Sequence, residues 1–163
     1  MRKIVCILLI AMVMMAGCNT RKEEKTVLQV EEPELPVGAH TLAIKSTVTI
    51  YHHDGIVSKT VVEEEIEGDE DSESLLKDMS EEEKEGYDAI GFENYLYDYE
   101  IKDHVLSKII EINYEATQLK GILEEETSAA YMQDIVNDDY EVMYDKLVKV
   151  YKDVGYVEVA SKD

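Results

Sequence analysis

The sequence predicts an α+β domain: a mostly antiparallel sheet built from two β-hairpins plus a C-terminal strand, with helices packed on one face. Three observations carry this expectation. Asp54-Gly55 and Asp103-His104 each sit between β-rich runs with alternating apolar residues. Segments of helical periodicity follow those runs. The chain has 163 residues, enough for one domain with a modest core but not comfortably for two.

The first hairpin lies in "TVTIYHHDGIVSKTVVEEE". Leu42, Ile44, Val48 and Ile50 share one parity, which gives the leading strand an apolar face. A two-residue turn at Asp54-Gly55 sets His52 opposite Val57 and Val48 opposite Val61. Continued outward, that register puts Glu63 and Glu65 on the apolar face, so the open end is expected to be wet or twisted away. The next segment is helical. Ser72 or Ser74 supplies the N-cap, acidic residues fill the first turn and Gly91 closes it. Its stripe of Leu75, Leu76, Met79 and Tyr87 fits one helix, or two short ones broken near Ser80.

The second hairpin is the most informative stretch. A turn at Asp103-His104 makes Ile101 face Leu106, Tyr99 face Lys108, Tyr97 face Ile110 and Tyr95 face Ile112. Among these, only Lys108 is neither apolar nor aromatic, whereas the other parity holds Asn94, Asp98, Glu100, Ser107, Glu111 and Asn113. Short helices are expected around 117–120 and 128–135. "DYEVMYDKLVKVYKDVG" then reads as an amphipathic helix with a stripe of Tyr140, Met143, Tyr144, Leu147, Val150, Tyr151 and Val154, ended by Gly155 at C′. "YVEV" at 156–159 is the last strand.

The N-terminal segment has a different character. Arg2-Lys3 precedes an apolar run from Ile4 to Gly17, shorter than the ~20 residues of a membrane-spanning helix. A basic start, a short apolar middle and small residues at the end read as a signal peptide. Met15-Ala16-Gly17-Cys18 resembles the bacterial lipobox. The resemblance implies that the Cys18 thiol receives a diacylglycerol and that a lipoprotein signal peptidase, recognising Met15, Ala16 and Gly17, cuts before it. Two acyl chains on one cysteine suffice for durable membrane attachment. The expected organisation is therefore a signal peptide over 1–17, a lipidated N-terminus and flexible acidic tether over 18–38, which contains Pro33 and Pro36, and a single domain over 39–163. Cys6 is discarded with the leader, so the mature chain has no partner for a disulfide. Asn19 stands where an aspartate commonly retains lipoproteins at the inner membrane. The expected location is the extracytoplasmic face of the cell membrane, or the outer membrane where the host has two.

Composition narrows the partners. Sixteen basic residues against 37 acidic ones give a formal charge of −21, and losing Arg2 and Lys3 with the leader lowers it to −23. Such a surface repels nucleic acid and is not drawn to anionic headgroups. An envelope protein or small ligand is the expected partner. No Gly-x-Ser-x-Gly, Walker or His-Glu-x-x-His pattern occurs, no cofactor is implied, and an enzyme is not expected. A small hydrolase would need a buried polar cleft between sheet and helices.

Three groups of residues are candidates for binding. Tyr95, Tyr97 and Tyr99 on one strand face could stack on sugar rings, or could instead roof the helices. His53, Asp54, Asp103 and His104 could hold a metal only if both turns lie at the same end of the sheet. His52 and His53 point to opposite faces and cannot grip one ion together. The acidic runs "EGDEDSES" and "EEEKE" could attract calcium, but Ser74 stands where an EF-hand loop needs glycine.

As a whole the chain resembles the YehR-like family of small bacterial lipoproteins. The resemblance rests on the lipobox, the hairpin "TVTIYHHDGIVSKTVVEEE", the stretch "GFENYLYDYEIKDHVLSKIIEINYEATQLKGI" and the terminal "YDKLVKVYKDVGYVEV". It implies the anchor and the fold, and supplies no activity.

Overall fold

The computed structural model describes residues 23–124 and 132–160. The leader and the Met15–Cys18 motif lie outside the described residues. The elements are β1 (Glu24–Val37), β2 (His40–His53), β3 (Ile56–Glu67), α1 (Glu73–Ile90), β4 (Tyr95–Lys102), β5 (Val105–Asn113), α2 (Ala116–Glu124), α3 (Tyr144–Asp153) and β6 (Val157–Val159). The six strands form one open sheet in the order β4-β5-β3-β2-β1-β6, antiparallel at every pairing. The chain is a mixed α+β fold, mostly sheet.

β1 corrects the sequence expectation. Most of the stretch expected to be a flexible tether is a strand, and the folded domain begins at Glu24 rather than at 39. Thr26 lies opposite Ile50 and Leu28 opposite Val48, with Leu28 fully buried. The prolines do not prevent this. Both fall where the register shifts between Glu32 and Leu35 or just beyond it, and β6 covers β1 only at Val27–Gln29. Missing amide donors are tolerated at a bulge or along a free edge.

The first hairpin contains a second correction. Asp54 and Gly55 have φ of 51° and 80°, the backbone of a two-residue turn, and His52 pairs with Val57. Lys59, however, pairs with Tyr51, so Ser58 is an extra residue bulged out of the ladder. Its carbonyl instead accepts from Tyr114 N at 2.9 Å. Beyond the bulge every side chain changes face. Val48 meets Val62, not Val61, and Ile44 meets Ile66. Glu63 and Glu65 therefore face away from the core, and Glu64 faces into it.

α1 is continuous. The Ser80 hydroxyl donates to the Leu76 carbonyl at 3.0 Å, so this serine does not break the helix. Ser72 occupies the N-cap position, but its hydroxyl donates back to Asp69 O at 2.7 Å. Gly68 is needed here, because a Cβ on it would lie 2.0 Å from Ser72 Oγ. α3 is shorter than its stripe suggests. Tyr140 has φ of 62°, and Val142 and Met143 make bridges to Val136 and Ile56 instead of a helical turn. Leu147 and Val148 are buried while Val150 and Val154 are exposed, so the stripe is rotated from the expected one. Of the helix expected around 128–135, residues 128–131 lie outside the described residues, and 132–134 form a short 3₁₀ turn.

The buried side chains fall into two clusters. One joins Leu28, Val48, Ile50, Ile110 and Ile112 to Leu119, Ile122, Leu147 and Val148, and the other joins Leu42, Ile66 and Leu106 to Leu76. Cross-strand pairing places all of these strand residues on one face of the sheet.

Candidate functional site

Between the two clusters runs one row of cross-strand partners: Val30, Ser46, Glu64, Lys108 and Tyr99. The bulge at Ser58 brings Glu64 directly opposite Lys108. The Lys108 ammonium lies 2.6 Å from Glu64 Oε2 and 2.5 Å from Glu83 Oε2, the latter supplied by α1. Lys108 is 8% exposed, Glu64 16% and Glu83 34%. The Tyr97 hydroxyl donates to the same Glu83 oxygen at 2.9 Å, and Tyr156 donates to Ser46 Oγ at 2.8 Å. Burial alone would pull the Lys108 pKa down. The hydrogen bonds and charges of Glu64 and Glu83 outweigh it, and the net shift is upward. Burial, followed by the hydrogen bond to Glu83, holds the Tyr97 phenol protonated well above its ordinary range. Burial also raises the Tyr156 pKa. The row is a closed network of paired groups.

The tyrosines proposed as a sugar platform belong to this inner face. Tyr87 of α1 stacks on Tyr95 with centroids 6.0 Å apart and sits 6.1 Å from Tyr97. The Tyr95 hydroxyl donates to Asp88 and that of Tyr97 to Glu83. All three rings are half-buried and pack against the core clusters on the helix side of the sheet.

The four-residue metal candidate is not assembled. β3 runs from the Asp54-Gly55 turn to Glu67, which pairs with Val105 beside the Asp103-His104 turn. The two turns thus sit at opposite ends of a 12-residue strand, roughly 40 Å apart at the usual rise per residue. Among the described residues no three His, Cys, Asp or Glu side chains gather as a metal site. His52 is buried rather than solvated. Its ring stacks on Tyr144 at 3.9 Å, and Thr26 Oγ1 lies 3.4 Å from His52 Nε2 and 2.8 Å from Tyr144 Oη. His104 has φ of 65°, and its Nδ1 is buried without a partner. In the acidic run before α1, Asp69 accepts from His40 at 2.9 Å, which lowers its carboxyl pKa.

The opposite face of the sheet was not anticipated as a feature. Its rows follow from the register. One runs Val159, Val27, Thr49, Val61, Glu111, Leu96, and the next runs Val157, Gln29, Thr47, Glu63, Ile109, Asp98. A third contains Lys45, Glu65, Ser107 and Glu100. A groove of about 490 Å³ crosses β2, β3, β5 and β4 on this side, with Thr47, Ser107 and Ile109 among its lining and Glu63, Glu65, Asp98 and Glu100 around it. Leu96 is 50% exposed and Val157 62%. The sequence held one signal of this arrangement. Glu63 and Glu65 cannot sit in a core, and a one-residue shift that turns them outward also supplies Lys108 with a counter-charge.

No family model and no curated protein matches the sequence. By structure the chain is similar to the YehR protein of E. coli, determined by NMR. That likeness has 15% sequence identity and a TM-score of 0.54, and covers 88% of this chain and 96% of the other. A protein from Streptococcus pneumoniae TIGR4, also determined by NMR, matches with 10% identity and a TM-score of 0.44 over 88% of each chain. The first likeness shows the fold: this chain has the fold of YehR.

Proposed function

We propose that this chain is a lipid-anchored envelope protein of the YehR-like family, displayed on the extracytoplasmic side of the membrane. Its single α+β domain carries the helices on one face of the sheet and acts as a non-enzymatic binding module. In a host with two membranes it belongs to the outer one. Met15-Ala16-Gly17-Cys18, at the end of a leader that is basic and then apolar, is the observation that carries this reading. The sheet face opposite the buried clusters supports a binding role, since among the described residues no helix joins a cluster on it and it presents a broad surface to a partner.

Mass spectrometry of the protein from its native cells tests the anchor. The mature species is expected to begin at Cys18 and to carry a diacylglyceryl group. Cys18→Ser is expected to keep residues 1–17 and gain no acyl mass. A mature wild-type protein with another N-terminus, or without added acyl mass, overturns the reading.

A further inference from the structure

We propose that the uncovered sheet face docks a basic amphipathic segment of a partner protein. The apolar side of that segment lies along Val159, Val27, Val61 and Leu96, and its cationic side chains sit among Glu63, Glu65, Asp98 and Glu100. The inference rests on the domain being a binding module and is independent of the lipid.

Among the described residues no helix shares a buried cluster with this face. The buried strand residues that share clusters with α1, α2 and α3 all have the opposite parity. What remains outside is a row crossing all six strands, about 24 Å long at the usual interstrand spacing, apolar at Val159, Val27, Val61 and Leu96 and interrupted by Thr49 and by Glu111, which Lys59 neutralises. An apolar band with half-exposed Leu96 at one end and Val159 at the other, beside exposed Val157, has the character of a contact surface.

Charge selects the occupant. Glu63 and Asp98 flank Ile109 on the neighbouring strands, and Glu65 and Glu100 flank Ser107 two residues along. Regular sheet geometry sets these four positions at the corners of a rectangle of roughly 10 by 7 Å. Glu31 and Glu111 on the same face have lysine partners, Lys45 at 4.0 Å and Lys59 at 3.6 Å. The four groove carboxylates make no ion pair among the described residues, and the one lysine lining the groove from the same face, Lys45 opposite Glu65, lies 4.0 Å from Glu31. A lysine or arginine stem laid on Ile109 buries its methylenes while its head meets these carboxylates. A single divalent ion is a poorer fit. It needs oxygens at about 2.3–2.6 Å, and no three potential ligands gather among the described residues. Anionic lipid and a second copy of this acidic face are both repelled.

The test uses the mature chain, residues 18–163, carrying Cys18→Ser so that neither acyl group nor detergent is present. The probe is a synthetic peptide of leucine and lysine in amphipathic order, with two controls: glutamate in place of lysine, and serine in place of leucine. The leucine–lysine peptide is expected to shift the methyl NMR signals of Val27, Val61 and Ile109 and to bind more tightly than either control. Neutralising the groove with Glu63→Gln, Glu65→Gln, Asp98→Asn and Glu100→Gln is expected to weaken binding at least about tenfold. Removing equal charge elsewhere, with Glu70→Gln, Asp78→Asn, Glu82→Gln and Glu85→Gln, is expected to change it by less than about twofold. Equal losses from the two variants reduce the effect to overall charge and overturn the proposal. So do methyl shifts confined to other residues, equal binding of either control peptide, or calcium alone reproducing the same shifts.

Discussion

Lys108→Met removes the one cation in the buried row and leaves two carboxylates behind. Breaking a buried ion pair by deleting one partner costs roughly 3–5 kcal/mol, because the other charge stays in a poorly solvated place. Here the burden falls mainly on Glu64, which is 16% exposed, while Glu83 at 34% can rehydrate and keeps its hydrogen bond from Tyr97. The lower end, about 3 kcal/mol, is therefore expected. For a chain of this size that corresponds to a Tm about 6–12 °C lower. Differential scanning calorimetry at neutral pH measures it. The decisive arm is Lys108→Met with Glu64→Leu, which removes the orphaned charge and restores an apolar cross-strand pair. It is expected to recover most of the loss, since replacing a whole buried pair with apolar groups is near neutral. If Lys108→Met lowers Tm by less than about 2 °C, the three groups are not coupled as their geometry implies. If the double variant is simply the sum of the singles, the same conclusion follows.

Three further outcomes follow from the backbone and the tyrosines. Deleting Ser58 takes out the extra residue and leaves Val57 opposite His52 and Lys59 opposite Tyr51, so Glu63 and Glu65 still face outward and cooperative thermal unfolding is expected to survive, with at most the loss of the hydrogen bond that the Ser58 carbonyl accepts from Tyr114; a deletion variant that no longer unfolds cooperatively refutes the bulge. His104→Gly relieves a left-handed residue at φ 65° and is expected to stabilise by about 0.5–1 kcal/mol in urea unfolding, with no gain counting against strain at that turn. Tyr97→Phe loses the hydrogen bond to Glu83 and is expected to be about 1 kcal/mol less stable at pH 7. The wild-type phenol has a raised pKa, so its contribution is complete below the ordinary value of 10.0 and is lost as pH rises from there toward the folded value. The gap between the two proteins is therefore expected to narrow in urea titrations above pH 10, and a constant gap contradicts it.

How much of this fold could be read from sequence depended on whether local pattern and long-range pairing agreed. In the β4–β5 hairpin they agree. Both strands alternate, the turn is two residues long, and the structure pairs Tyr95 with Ile112 and Ile101 with Leu106 as that turn requires. β1 was illegible because its inward residues, Thr26, Leu28 and Val30, precede a run of acids and two prolines that matches the composition of a linker. Only pairing with β2 makes it a strand. Propensity does not mark a bulge, and Ser58 left its trace only in the misplaced glutamates downstream. The start of α3 failed for a similar reason, since the periodicity of 140–143 is served by bridges to neighbouring segments and not by a helix. The open face could not be read at all until β1 took its place between β2 and β6. The apolar row depends on strands from both ends of the chain.

The reassignment of β1 also changes what an anchor at Cys18 does. A tether of twenty residues would let the domain roam, but β1 begins at Glu24, six residues after Cys18. Six residues span at most about 20 Å. Glu24 pairs with His52, so the end of the sheet that the proposed anchor would hold close to the lipid is the one carrying the Asp54-Gly55 turn. The Asp103-His104 turn lies at the other end. If Cys18 carries the proposed lipid, an acidic domain on so short a leash would be repelled by anionic headgroups and restrained by its own chain, holding the first turn near the surface. The sheet face opposite the buried clusters flanks the strands rather than capping either end, so under the proposed anchor it would meet a partner approaching alongside the membrane.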